Sequence, residues 1–176
     1  MNHSKTHLFL TFIALLGLTS CGEPTPSDLP VITTPANAKV NLSKISLSVS
    51  NTKITKTGEN KYNLSFDYTV TNSAGAHLAF TCLYNTTDEL IQAELTDAEG
   101  KPLTLSRRTL EGLTLTEPRP IKLLNGNTTR SYKAPLIAVA HETGDLITLR
   151  VRLHAPSRYD ELRSSVEAPL VTVPWP

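Results

Sequence analysis

Three stretches of this chain alternate apolar and polar residues with a period of two. Ile45, Leu47 and Val49 alternate with Ser46, Ser48 and Ser50. Tyr62, Leu64, Phe66, Tyr68 and Val70 alternate with Asn63, Ser65, Asp67, Thr69 and Thr71. Ile147, Leu149, Val151 and Leu153 alternate with Thr148, Arg150, Arg152 and His154. Successive side chains of a strand point to opposite faces, so this pattern marks strands with one face in a core and one in water. Residues 77–84, 90–97, 101–106, 110–116, 128–137 and 169–173 read the same way less regularly. Segment 88–95 also scores as a helical turn or two, but strand placement of Ile91, Ala93 and Leu95 suits the hairpin that follows.

Turn signals separate the strands. Thr57-Gly58-Glu59-Asn60 joins the first two long ones, and Asn72-Ser73-Ala74-Gly75 ends the second. Asp97-Ala98-Glu99-Gly100 reads as a type I turn with glycine last, closing a short hairpin. Asn125-Gly126-Asn127 and Thr143-Gly144-Asp145 each precede a strand. One helix is expected, with Ser157 capping residues 158–163 and Asp160 at the third helical position. Strands at this spacing predict an all-β sandwich or barrel of about seven to nine strands.

The amino terminus follows another rule. Lys5 and the free amine precede an apolar run from Leu8 to Leu18, 11 residues long and within the secretory range. A permanent membrane helix needs about 20 such residues. Small residues then lead to Leu18-Thr19-Ser20-Cys21. This segment resembles the signal peptide and lipobox of bacterial lipoproteins. The resemblance implies cleavage after Ser20, diacylglycerol on the Cys21 sulfur and an acylated new amino terminus. Gly22, rather than aspartate, implies sorting to the outer membrane. The expected layout is a signal peptide over 1–20, a tether over 21–38 and one β-sandwich domain over 39–176. Pro24, Pro26, Pro30 and Pro35 make the tether an extended spacer reaching up to roughly 50 Å.

Charge narrows the partners. The whole chain has 17 basic and 16 acidic residues, and removing Lys5 with the signal leaves them balanced at 16 each. No polybasic run exists beyond Arg107-Arg108, so nucleic acid is excluded as a partner. The chain has 2 cysteines. Once Cys21 carries lipid, Cys82 has no intramolecular partner, and the domain depends on its core rather than a disulfide. Cys82 shares the parity of Leu78, Phe80 and Tyr84 and is read as a buried, unreactive thiol.

The strand layout resembles the immunoglobulin-like sandwich of bacterial envelope proteins. The residues that carry the likeness are strand 62–72 ending Val70-Thr71-Asn72, then Leu95-Thr96-Asp97-Ala98-Glu99-Gly100-Lys101-Pro102-Leu103, then strand 146–154. The paired core cysteines and tryptophan of antibody domains are lacking.

Catalytic chemistry finds no motif. His77, His141 and His154 show no metal-ligand spacing, and no G-x-S-x-G elbow or glycine-rich phosphate loop occurs. Asp88-Glu89 and Asp160-Glu161 read as turn or helix-start acids. Asp67 and Glu94 are a distant carboxylate pair of the kind any chain this size contains. No cofactor is expected, and the chain reads as non-enzymatic. Arg150, Arg152 and His154 line one strand face, with Arg107-Arg108 as a possible extension, and are the candidate binding surface for an acidic protein or polysaccharide. Trp175, the single tryptophan, is expected to cover an end of the core. The leading expectation is a membrane-anchored structural or protein-interaction module of the cell envelope. A glycan or cell-wall binding domain is the alternative, and a small envelope hydrolase the second alternative.

Overall fold

The computed structural model describes residues 28–35, 38–82, 90–105, 119–137, 141–155 and 164–176. These form eleven strands: β1 (Val31–Thr34), β2 (Ile45–Gly58), β3 (Lys61–Asn72), β4 (His77–Cys82), β5 (Ile91–Thr96), β6 (Pro102–Leu105), β7 (Arg119–Leu123), β8 (Gly126–Ile137), β9 (Leu146–Ala155), β10 (Ser164–Glu167) and β11 (Val171–Pro174). The fold is all-β, and every strand pair but one is antiparallel. The expected helix after Ser157, the strand at 110–116 and Arg107-Arg108 lie outside the described residues.

One sheet runs β10-β9-β5-β6-β8-β3-β2, with β11 also pairing β9. It curls until β2 packs against β10 and β11 at the opposite edge. The short strand β6 makes the corner. Pro102 and Leu103 pair with β5, while Thr104 and Leu105 pair with β8. A smaller sheet, β1-β4-β7, packs beside it.

The curl follows from the period-two pattern. On β3, Leu64, Phe66, Tyr68 and Val70 are all buried, and on β9 so are Ile147, Leu149, Val151 and Leu153. Tyr68 and Val70 line the same small cavity as Leu153, so the two rows face each other across one core. Full burial of one such side chain stabilises by about 1.5–3 kcal/mol. Phe66 stacks on Tyr132 with ring centroids 4.7 Å apart. Trp175 closes one end of this core, 2% exposed and 4.4 Å from the Tyr62 ring. Its backbone fixes the chain end: Trp175 N donates to Asp145 O at 2.8 Å, and Gly144 N donates to Trp175 O at 2.9 Å.

The turns follow their chemistry. Gly100 N donates to Asp97 O at 3.1 Å, and Gly100 takes the left-handed φ of 80° that glycine adopts without penalty. Lys101 N donates to the Asp97 carboxylate at 2.7 Å. Between Ser50 and Lys53 the register of β2 slips against β3, and Asn51 takes φ 52°, a conformation asparagine tolerates better than most residues.

Three expectations are corrected. The spacer drawn over 21–38 is too long at its carboxyl end, because Val31–Thr34 pair in parallel with His77–Phe80. Four residues are too few to show a period, and the partner lies far along the chain. Strands β7 and β10 were likewise not expected, being short pieces added to sheet edges by tertiary pairing. In β4, His77, Leu78, Ala79 and Phe80 are all buried, so parity does not assign an inner face there. The Cys82 side chain lies outside the described residues.

One buried polar residue joins the two sheets. Asn72, 1% exposed, ends the inward row of β3. Its Nδ2 donates to Ala76 O at 2.9 Å and to Leu123 O at 3.1 Å, and its Oδ1 accepts from Ala74 N at 3.0 Å. Asn72→Ala leaves those backbone groups without the amide and should cost about 3 kcal/mol. Asn72→Asp, similar in shape but without the donors, should not rescue it. Urea unfolding checks this: the midpoint falls while the slope holds, whereas a loss under about 1 kcal/mol contradicts the role given to the amide.

Candidate functional surface

The candidate surface begins with the outward row of β9. Alternation along the strand places Arg150, Arg152 and His154 on one face, opposite in direction to Val151 and Leu153. Cross-strand pairing brings Glu94 beside Arg150 and Gln92 beside Arg152 from β5. From β10 it brings Glu167 beside Arg152 and Ser165 beside His154.

Those neighbours change the electrostatics. Glu167 receives Arg150 Nε at 3.2 Å on one oxygen and Arg152 Nε at 3.0 Å on the other. Arg152 Nη1 also reaches Glu94 Oε1 at 3.3 Å, an oxygen that accepts from Gln92 Nε2 at 2.9 Å. Two guanidinium groups thus meet two carboxylates, and the row carries no net charge from these four. Exposed pairs of this kind stabilise by about 0–1 kcal/mol. They bridge β10 and β5 across β9. A basic stripe was legible from β9 alone; the neutralising carboxylates come from strands whose pairing the sequence does not specify.

Among the described residues, His141 and Asp145 form a histidine–carboxylate pair. His141 Nδ1 stands 3.8 Å from Asp145 Oδ2, and its ring lies 5.0 Å from Trp175. The same Asp145 oxygen accepts from Glu142 N at 2.8 Å, so it is already part of the turn into β9. Neither of two concavities found among the described residues is lined by His141 or His154. One is an apolar cavity of about 60 Å³ under Tyr68, Val70, Leu90, Leu123 and Leu153, with Arg130 beside it. Ligand sites for drug-sized molecules take roughly 300–1,000 Å³. The other is an open trough between residues 39–43 and β10, crossed by a hydrogen bond from Ser164 Oγ to Val40 O at 2.7 Å. Among the described residues no three His, Cys, Asp or Glu side chains gather as a metal site.

The opposite side of the sandwich has a different character. The outward positions of β2, β3 and β8 form cross-strand rows: Ser46, Thr71 and Asn127; then Ser48, Thr69 and Thr129; then Ser50, Asp67 and Ser131. Lys53, Ser65 and Lys133 make the next row. None of these residues is buried. Thr69 and Thr129 share a hydroxyl–hydroxyl hydrogen bond of 2.8 Å. Asp67 accepts from Asn51 Nδ2 at 2.8 Å and from Ser131 Oγ. The residues of this face stood in the sequence as the polar half of the alternation; the signal was that they are almost all short, where an exposed strand face commonly carries long charged side chains. What joins three polar half-patterns into one face is the addition of β8 to the β2–β3 hairpin: the 57–60 turn signalled the hairpin, and no local signal specified β8.

Comparison with known protein families, with characterised proteins and with solved structures finds no match.

The Asp67 carboxyl is held below its ordinary value of 3.8. The Asn51 amide is the main cause, followed by the Ser131 hydroxyl, with attraction to Lys53 adding to them against a burial effect of opposite sign. A depressed carboxylate contributes stability that is present above the unfolded value and lost as pH falls through the folded one. Asp67→Asn should therefore be less stable than the parent at neutral pH, with the gap closing as pH drops below about 3.8. Thermal unfolding midpoints of both proteins across that range test it; a gap that does not change with pH contradicts the assignment.

Proposed function

We propose that this chain is an envelope lipoprotein, tethered through lipid on Cys21, whose β domain serves as a structural or protein-interaction module rather than an enzyme. The observation that carries the proposal is Leu18-Thr19-Ser20-Cys21 after an 11-residue apolar run with a basic start. One acyl chain binds a membrane marginally, and two or more anchor a protein stably. Gly22 favours the outer membrane in this reading. No described helix is long and apolar enough to cross a membrane.

The finer reading of the fold is an immunoglobulin-like sandwich. Such domains place strands A, B, E and D in one sheet and C, F and G in the other. The spatial order β2-β3-β8-β6 and then β5-β9-β10/β11 supports this, because in chain order those strands take the places of A, B, E, D and C, F, G. In this assignment β4 is an addition between B and C, and β7 between D and E. The split edge of β10 and β11 stands in for a single strand G. Fold of this kind does not specify activity, and the role proposed rests on the anchor and on the open sheet faces.

The amino terminus tests the proposal. Mass spectrometry of the protein isolated from its native membrane should give a first residue of Cys21 carrying diacylglycerol, with residues 1–20 absent. An unmodified Cys21 on exported protein contradicts it.

A further inference from the structure

The two sheet faces that look outward differ in a way that bears on what each can bind. On the β9 side, long charged side chains answer one another, and immobilising such side chains carries the largest rotamer cost. On the β2-β3-β8 side, three successive cross-strand rows hold short hydroxyl, amide and carboxylate groups. Neighbouring strands lie about 4.8 Å apart, and same-face positions along a strand about 6.7 Å apart. Each Ser or Thr hydroxyl donates once and accepts twice, so the face offers closely spaced donors and acceptors. Short side chains on strands also have little rotamer freedom to lose.

We propose that this face, centred on Ser48, Thr69 and Thr129, docks the glycan strands of the cell wall. The occupant follows from the chemistry. Those three rows carry a single charge, Asp67, and its carboxylate is already hydrogen-bonded to Asn51 and Ser131. A polymer of hydroxyls and N-acetyl amides matches such a surface, with each sugar about as long as one strand spacing. The adjoining row supplies two cations, Lys53 and Lys133, on either side of Ser65. They complement the carboxylates that wall glycans bear on their peptide stems. Stable protein interfaces draw their energy from buried aromatic, methionine and arginine anchors, and these four rows contain none. The proposal rests on the reading of the chain as a lipid-anchored, non-enzymatic envelope module, and assigns this face of it a glycan rather than a protein partner.

The test is co-sedimentation of the mature protein, in detergent, with purified peptidoglycan sacculi at 0.15 M salt. The parent should pellet with the sacculi. The double substitution Ser48→Glu with Thr129→Glu places bulk and negative charge on the central row. It should weaken binding about tenfold or more, the equivalent of one or two good hydrogen bonds. Thr172→Glu, exposed on β11, places at a distance the charge that each single substitution adds, and should bind as the parent does. Unfolding midpoints verify folding, and the two single substitutions serve if the pair disturbs it. Failure of the parent to pellet, or undiminished binding by the substituted face, overturns the proposal. So does a parent dimer in size-exclusion chromatography that the same substitutions dissolve without any sacculus binding, which assigns the face to a second copy. Detergent makes the readout independent of anchoring: acylated protein that ignores sacculi refutes this inference alone, and sacculus binding by unacylated protein refutes the anchor alone.

Discussion

The structure depends on two rows of apolar side chains meeting across one core. Leu64, Phe66, Tyr68 and Val70 of β3 face Ile147, Leu149, Val151 and Leu153 of β9, and none is more than 5% exposed. Each row is half of an alternating strand, so burying it turns the other half outward. The polar faces are therefore a consequence of the core. A one-residue slip would exchange the faces and bury Asp67 with Thr69 and Thr71 on β3, or Arg150 and Arg152 on β9, which fixes the register strongly. Eight buried side chains at about 1.5–3 kcal/mol each are a leading favourable contribution to a domain without an internal disulfide among its described residues.

Secondary devices adapt that core to its neighbours. The corner strand β6 bonds to β5 with one end and β8 with the other, so the sheet turns instead of ending. Asn72 uses its whole amide to tie the end of β3 to Ala74, Ala76 and Leu123, joining the small sheet to the large one. Next to it, Asn125 N donates to His77 Nδ1 at 3.0 Å, and Gly75 N donates to Asn125 Oδ1 at 3.0 Å. A buried amide that is fully satisfied specifies one arrangement, because any other leaves polar groups without partners. At the Asn51 bulge, the bulged residue's own amide holds Asp67 across the ladder, so the irregularity is stapled on the outward face.

Much of this was legible in the sequence where physics acts locally. Period two marked β2, β3 and β9, and Asp97 with Gly100 marked the β5–β6 turn. Trp175 covers the core end as its single occurrence near the carboxyl terminus suggested. Strands β1, β7 and β10 were not legible, because four or five residues show no period and their pairing is decided by distant partners. The same limit governs the surfaces. Arg150 and Arg152 looked basic on their own strand, and only the tertiary pairing with Glu94 and Glu167 neutralises them. Ser48, Thr69 and Thr129 were each visible as outward residues, yet their assembly into one face needed the order β2-β3-β8.

The central claim is that β3 and β9 form one cooperative core on which both outward faces depend. Native-state hydrogen exchange of the mature protein measures this directly. The account predicts that amides at 64–70 and 147–153 exchange slowest and only through global unfolding, with an opening free energy equal to that from urea denaturation. Exchange of either strand through a separate opening of lower free energy would contradict it.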